Sequence, residues 1–508
     1  MARSHSNPWI VPAIGAVAAG TVWLGGAQLA SQQSSPVSHQ EIYGQEGFPY
    51  AQHKPPIKWD GPRRLQPQAQ NVRLVGWSDL NGRADGEQID GAVINGRDYI
   101  FYGHYWSQGV SIVDVTDPKK PEVVSFIKNR DPMGHYTKVL VNHKNIMMLP
   151  LGTLTELDDA KQKPIKEHGV SFYDVNDPKN PKFLSFYRTA PGSIINKGVH
   201  SCWFVDDYAY LSTPAEGYSG RIFLILDVRD PRNPKEVGRW WMPGQHTAGG
   251  EKFEPGFEHA SLHGAQANRD GTLGFYCARP DPPGGMVILD IRDKAKPAFL
   301  SRLDLSPPMI DDYFAIHNVV TFDSRGLLAM LDEGSGNNLL KPEKTGWIVD
   351  VKDPKNPVIL SVLQTPQDVD RRHPVRFGIH NAHENQPGSL IDDYMLYVSW
   401  FRAGMRIFDL SDPKHPVEAG YFRPPDPKYR IDDTTWNGTE GDPDGSELSS
   451  LNHVYVDQRG LIYTSGYNDG LYILEYTGPR PQGSRAALET ARRQREQQIA
   501  ASAQAQRQ

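Results

Sequence analysis

The sequence predicts an all-β fold, a seven-bladed β-propeller closed by an N-terminal strand that completes the last blade. Three observations lead there. A ten-residue phrase recurs at a nearly regular period, each recurring unit holds four short strand-like runs, and one unpaired run near the start matches a gap near the end. Composition agrees: 41 Pro and 47 Gly in 508 residues suit short strands broken by turns and suit a helical bundle poorly. The 54 Lys+Arg against 60 Asp+Glu, net −6, exclude a broad basic surface, so no nucleic-acid partner is expected.

In chain order, residues 1–30 come first. Met1–Asn7 carries Arg3 and no acid, Trp9–Leu24 is almost wholly apolar, and Gly25-Gly26-Ala27 supplies small residues where a signal peptidase cuts. The segment reads as a signal peptide or, if uncleaved, as an N-terminal membrane anchor. Either reading places the chain in the periplasm or outside the cell, membrane-associated if the segment is kept. Residues 31–70 are polar and proline-dotted and read as a linker. The propeller is expected over 71–480, and the Ala-, Arg- and Gln-rich residues 481–508 form a helical or disordered tail.

The recurring phrase is apolar–apolar–Asp–apolar–x–Asp–Pro–x–x–Pro. It stands at Ile112-Val113-Asp114 with Asp117-Pro118 and Pro121, and returns at Asp174, Asp227, Asp350 and Asp409. Asp290 carries a copy with Lys294 in place of the first Pro, and Glu475 a degenerate seventh. Successive marker acids are 60, 53, 63, 60, 59 and 66 residues apart. Recurrence in every unit gives these acids a turn and blade-packing role, because Asp tolerates turn geometry and Pro fixes φ. Four runs per unit, as in Val319–Phe322, Leu327–Leu331, Trp347–Val351 and Val358–Val362, make a propeller blade. The last unit lacks a fourth run after Pro479, and Val72–Trp77 supplies it from the other end of the chain, removing an exposed edge.

The phrase in Ile112–Pro121 and its copies resembles the LVIVD repeat of extracytoplasmic bacterial and archaeal β-propellers, over roughly Val72–Tyr476. The openings His317-Asn318-Val319-Val320 and His380-Asn381 resemble that family's strand opening. The resemblance implies the fold and leaves the activity open. The general plan is also similar to the selenium-binding-protein-type methanethiol oxidases, propellers with histidine-bound metal, although their paired-cysteine segment has no counterpart here. The two cysteines, Cys202 and Cys277, lie in strand-like runs and read as buried free thiols or one bridge.

Aligned on their opening strands, the units place His135, His200, His263, His317 and His453 at one equivalent point, and a further unit offers His380 and His383. The first unit has Asp90-Gly91 there. Opening strands line a propeller's channel, so equivalent positions form a ring at one mouth. His259, beside Glu258, is a further candidate ligand. Second strands return to the same mouth and end on Glu333 and Arg402 among other polar residues, and Glu384 follows His383. Histidines at strand starts can simply cap each blade. Crowded imidazoles are also well satisfied by a transition metal, with Fe or Cu favoured and Zn possible, and carboxylates can hold or support them. Glu333, Glu384 and Arg402 are the candidate catalytic groups. His143, His168, His246, His373 and His415 fall in turns and read as solvated. Long segments at Met242–Gly256, Leu305–Ala315, Leu363–Phe377 and Arg423–Ser450 are expected to frame a pocket for a small-molecule substrate. Two functions follow: a metal-dependent oxidoreductase using the axial histidines, or a non-catalytic propeller that binds a ligand or protein on the same face.

Overall fold

A computed structural model describes residues 57–58, 67–104, 107–131, 138–152, 167–191, 198–253, 260–279, 285–305, 316–333, 344–368, 377–427, 429–430 and 449–505. Seven four-stranded antiparallel sheets follow one another as blades 1 to 7. Blades 1 to 5 are built from contiguous chain, 89–128, 140–188, 201–240, 261–304 and 316–362. Blade 5, for instance, lays Ile316–Phe322, Leu327–Asp332, Gly346–Asp350 and Val358–Val362 side by side. The first three strands are buried and the fourth carries the exposed Val358 and Val362, so each blade presents its outer edge to solvent.

Blade 7 closes the ring as expected. Leu451–Val456, Leu461–Gly466 and Leu471–Tyr476 are joined by Val72–Ser78, which pairs antiparallel with the third of them. Blade 6 departs from the plan. Its sheet runs Met395–Ser399, Met405–Asp409, Val417–Arg423 and then Gln68–Gln70 from the N-terminal side. The innermost place is held by isolated bridges at Phe377 and Ala382. The end of the expected linker is therefore a strand that covers an edge, and Ile57–Lys58 pairs with Tyr429–Arg430 as well. The tail is a helix, Gln482–Ala505.

The marker acids do what their recurrence implied. Asp114, Asp174, Asp227, Asp290, Asp350 and Asp409 each accept the backbone N–H two residues on, at 2.7–3.1 Å. The turn they start then docks on the preceding blade. Hydroxyls of Ser125, Ser185, Ser301 and Ser361, on fourth strands, donate to the carbonyls of Pro178, Pro231, Pro354 and Pro413 at 2.6–2.7 Å. In blade 7 the corresponding approach is tighter still. A Cβ on Gly76 would lie 2.0 Å from the Pro118 carbonyl oxygen, so only glycine fits.

Turns between first and second strands sit at the opposite mouth from the histidines. There the C-terminal helix ties three blades together. Ser484 bonds Asp392 at 2.5 Å, Arg492 reaches the Arg459 carbonyl at 3.0 Å, and Arg495 grips Asp98 at 2.5 and 2.9 Å. Among the described residues no helix is long and apolar enough to cross a membrane.

Candidate metal site at the channel mouth

Four imidazoles from consecutive blades meet at one mouth. His200 just precedes the first strand of blade 3, His263 lies in that of blade 4, His317 in that of blade 5, and His380 at the innermost place of blade 6. Neighbouring ring centroids are 4.4, 4.0 and 4.4 Å apart. The Nε2 atoms of His200 and His263 lie 2.8 Å apart. Glu333, just past the second strand of blade 5, returns to the same mouth, as antiparallel pairing requires. Its carboxylate lies 3.8 Å from Nε2 of His263 and 3.6 Å from Nε2 of both His317 and His380. One ligand atom from each of His263, His317 and Glu333 falls within 4.8 Å of the others, and all three side chains are buried.

Bulges aim these rings at the axis. In blade 5, Ile316 faces Asp332 and Asn318 faces Leu331, so His317 is the extra residue. In blade 4 the skipped pair is His263-Gly264. A bulged residue leaves the ladder and its side chain is re-aimed. The rings are then held from behind by the next blade. His263 Nδ1 lies 2.9 Å from the His317 carbonyl, which can only accept, so the proton sits on Nδ1 and the Nε2 lone pair faces the group. His380 Nδ1 lies 3.0 Å from the Asn452 carbonyl and 2.9 Å from the Asn381 amide nitrogen, so the next blade also holds this ring from behind. The cap and the ligand are thus two ends of one ring.

Blade 7 reverses this arrangement and corrects the expected equivalence of His453. There Leu451 faces Gly466 and His453 faces Ser465, so the skipped residue is Asn452. Asn452 is the bulged residue, as His317 is in blade 5, but its amide bonds Asn381 and Glu87, and the His453 ring lies in a second layer beside Glu384. Its Nε2 lies 4.0 Å from Glu384, which is ion-paired with Lys138. Burial alone would raise the Glu384 carboxyl, but Lys138 and His453 outweigh it and hold it below the usual range. Asp90 accepts the Val141 N–H at 2.7 Å in the same layer, and burial pushes its carboxyl up to about 7.

The remaining expected site residues separate as follows. His383 is not in the group: its Nε2 lies 2.6 Å from the Leu390 carbonyl and its Nδ1 accepts the Val456 N–H at 3.1 Å. Arg402 is buried in an ion pair with Asp426, so it anchors the mouth. His135 and His259 lie outside the described residues, as do Glu258, most of the expected lid segments and the leader. His143 is exposed in a turn, whereas His246 is not simply solvated, since its ring stacks on Tyr218 at 4.6 Å. Cys202 and Cys277 are buried free thiols whose pKa burial raises, which leaves them inert.

Sequence reasoning passed over the amides. Asn318 donates to Asn381 at 2.8 Å, Asn381 to Asn452 at 3.1 Å, and Asn452 to Glu87 at 2.8 Å. The carboxylate at the end only accepts, which fixes the direction of this belt across blades 5, 6, 7 and 1. The signal was visible: His-Asn at 317–318 and 380–381 becomes Asn-His at 452–453.

The donor set fits a transition metal. Neutral imidazole nitrogens and one carboxylate are borderline ligands of the kind iron, copper and zinc accept. Without a cation, the facing Nε2 atoms of His200 and His263 can share only one proton, and a carboxylate sits among buried rings.

The LVIVD repeat family matches at residues 389–423, within blade 6. The chain carries the LVIVD repeat. Among solved structures, this LVIVD-repeat propeller is similar to the Cps50 (Swd1) β-propeller domain of Myceliophteria thermophila. The identity is 12%, covering 77% of this chain and 96% of that chain, with a TM-score of 0.47. No curated protein matches the LVIVD-repeat chain.

Proposed function

We propose that this propeller is an extracytoplasmic metalloprotein, and that it is a metal-dependent oxidoreductase acting on a small organic substrate at the axial mouth. The observation that carries the reading is the convergence of His263, His317 and Glu333 within 4.8 Å, flanked by His200 and His380. His200, His263, His317 and His380 would hold the ion, with Glu333 as a further ligand or as a base beside it. Iron or copper there would supply one-electron and oxygen chemistry, and zinc would act as a Lewis acid.

The chain's own groups set the conditions. Burial of Glu333 and three of the rings excludes bulk water, which strengthens every electrostatic contact inside. Arg402, held by Asp426, fixes the segment that enters the mouth near Ser449. Location outside the cytoplasm rests on the apolar run Trp9–Leu24.

The test is metal content of untagged protein grown with each metal in turn, comparing wild type with Glu333→Gln and His143→Ala. About one ion per chain is expected for wild type and His143→Ala. Glu333→Gln should bind roughly 10–100-fold more weakly. A wild type free of metal under replete conditions would leave the ligand- or protein-binding propeller as the better reading.

A further inference from the structure

Phe401 is buried, bulky and held at φ +38°, a left-handed backbone conformation. Such values are uncommon for any residue with a Cβ and are genuine outliers for bulky ones. The strain has a local origin. Trp400-Phe401-Arg402-Ala403 is a tight turn, closed by Ala403 N–H to the Trp400 carbonyl at 2.8 Å, and Phe401 takes its second position. A positive φ at that place favours Gly, Asn or Asp. Gly404, three residues on, has φ +81° and shows that the sequence supplies glycine in this turn where the backbone needs one.

What the phenyl ring does there is visible in its contacts. It stacks on His380 with centroids 4.6 Å apart and planes 25° apart, and its other neighbour, Tyr467, lies nearly parallel at 6.4 Å. Its backbone bridges Phe377 on one side and Leu451 on the other, across the join of blades 6 and 7. His380 is the last of the four mouth imidazoles. From blade 7, the Asn452 carbonyl lies 3.0 Å from its Nδ1. Phe401 covers the face of the His380 ring.

We propose that Phe401 is a positioning residue for the histidine site. Its ring, kept in place by a strained turn, fixes the plane of His380 so that Nε2 faces Glu333. The inference rests on the metal reading above. The side chain is buried and stacks on the His380 ring. It acts through His380.

Cobalt(II) alone is the probe, titrated into apo-protein and read by its visible ligand-field absorption. The panel is wild type, Phe401→Tyr, Phe401→Leu and Phe401→Gly, each checked for folding by circular dichroism. Phe401→Leu keeps the strained turn and loses the flat ring. It is expected to stay folded, bind Co(II) at least about tenfold more weakly, and change the absorption spectrum. Phe401→Tyr restores the stack and is expected to restore both affinity and spectrum. A folded Phe401→Leu or Phe401→Gly with wild-type affinity and spectrum overturns the proposal. So does failure of both to fold, which would make Phe401 a core residue only. If wild type takes up no Co(II), the metal reading itself fails, and that outcome is distinct because it appears before any variant is compared.

Discussion

Blades 5 and 7 are built to the same pattern and differ in two respects. Blade 5 is one continuous stretch of chain, while blade 7 takes its fourth strand, Val72–Ser78, from some four hundred residues away in sequence. Blade 5 opens with His317-Asn318 and blade 7 with Asn452-His453, over the same bulge. The bulged His317 faces Glu333, whereas the bulged Asn452 bonds Asn381 and Glu87 and His453 lies beside Glu384. One exchange of positions therefore goes with an imidazole in the layer of Glu384 and Lys138 in place of one beside Glu333. A one-residue slip turns a strand's side chains to the other face, and a bulge makes such a slip locally. Which histidines form a site is decided by pairing register more than by histidine content.

The largest effect is expected from breaking blade 7's dependence on the N-terminal strand. Removing residues 1–77 deletes a whole strand of that sheet, and the product should aggregate or fail to fold. Removing residues 1–66 spares both Gln68–Gln70 and Val72–Ser78 and should leave a soluble domain. Size-exclusion chromatography and circular dichroism separate the two outcomes, and equal behaviour would contradict closure by that strand.

Next comes the contrast between the two histidines. His317→Ala removes a direct candidate ligand and should lose most bound metal, more than the 10–100-fold typical of losing a supporting group. His453→Ala should keep near-wild-type stoichiometry, because its ring belongs to the second layer. Elemental analysis of both proteins gives the answer. Equal loss from the two would mean that the bulge assignment in blade 7 is wrong.

A smaller effect, on stability, lies at the join of blades 6 and 7. His383 uses both ring nitrogens there, and burial lowers its pKa from 6.5 to about 4. The unfolded chain therefore binds the proton first as pH falls. The stabilisation from neutral His383 is fully present above pH 6.5 and is lost as pH drops toward 4. A shift of that size corresponds to about 3 kcal/mol. His383→Gln should flatten the urea-midpoint profile over that interval. An unchanged slope would show that His383 does not carry it.

Much of the fold was legible because its signals are local. Asp114 and its counterparts accept an N–H two residues away, so the same short phrase makes the same turn in every blade. Closure was legible because a sheet missing one strand leaves an arithmetic gap. The four mouth histidines and Glu333 were named in the sequence only among eight histidines and three candidate catalytic groups; strand direction brings second-strand ends back to the first-strand starts but does not separate these residues from the others. The place of His453 was not legible, because a bulge is a tertiary choice that spacing does not reveal. Neither was Gln68–Gln70 as a strand of blade 6: its three residues carry no apolar alternation, and only the open edge of Val417–Arg423 recruits them. The strain at Phe401 was equally hidden, since nothing in Trp-Phe-Arg-Ala-Gly announces a positive φ at the aromatic residue.

One ion is expected among His263, His317 and Glu333. Anomalous diffraction from a crystal of metal-loaded, untagged protein, collected at the absorption edge of the bound element, tests it most directly. A single strong peak is expected on the channel axis about 2.0–2.2 Å from His Nε2 atoms of blades 4 and 5, with the Glu333 carboxylate beside it. A peak beside His453 and Glu384, or none at the mouth while the protein is loaded, would contradict it.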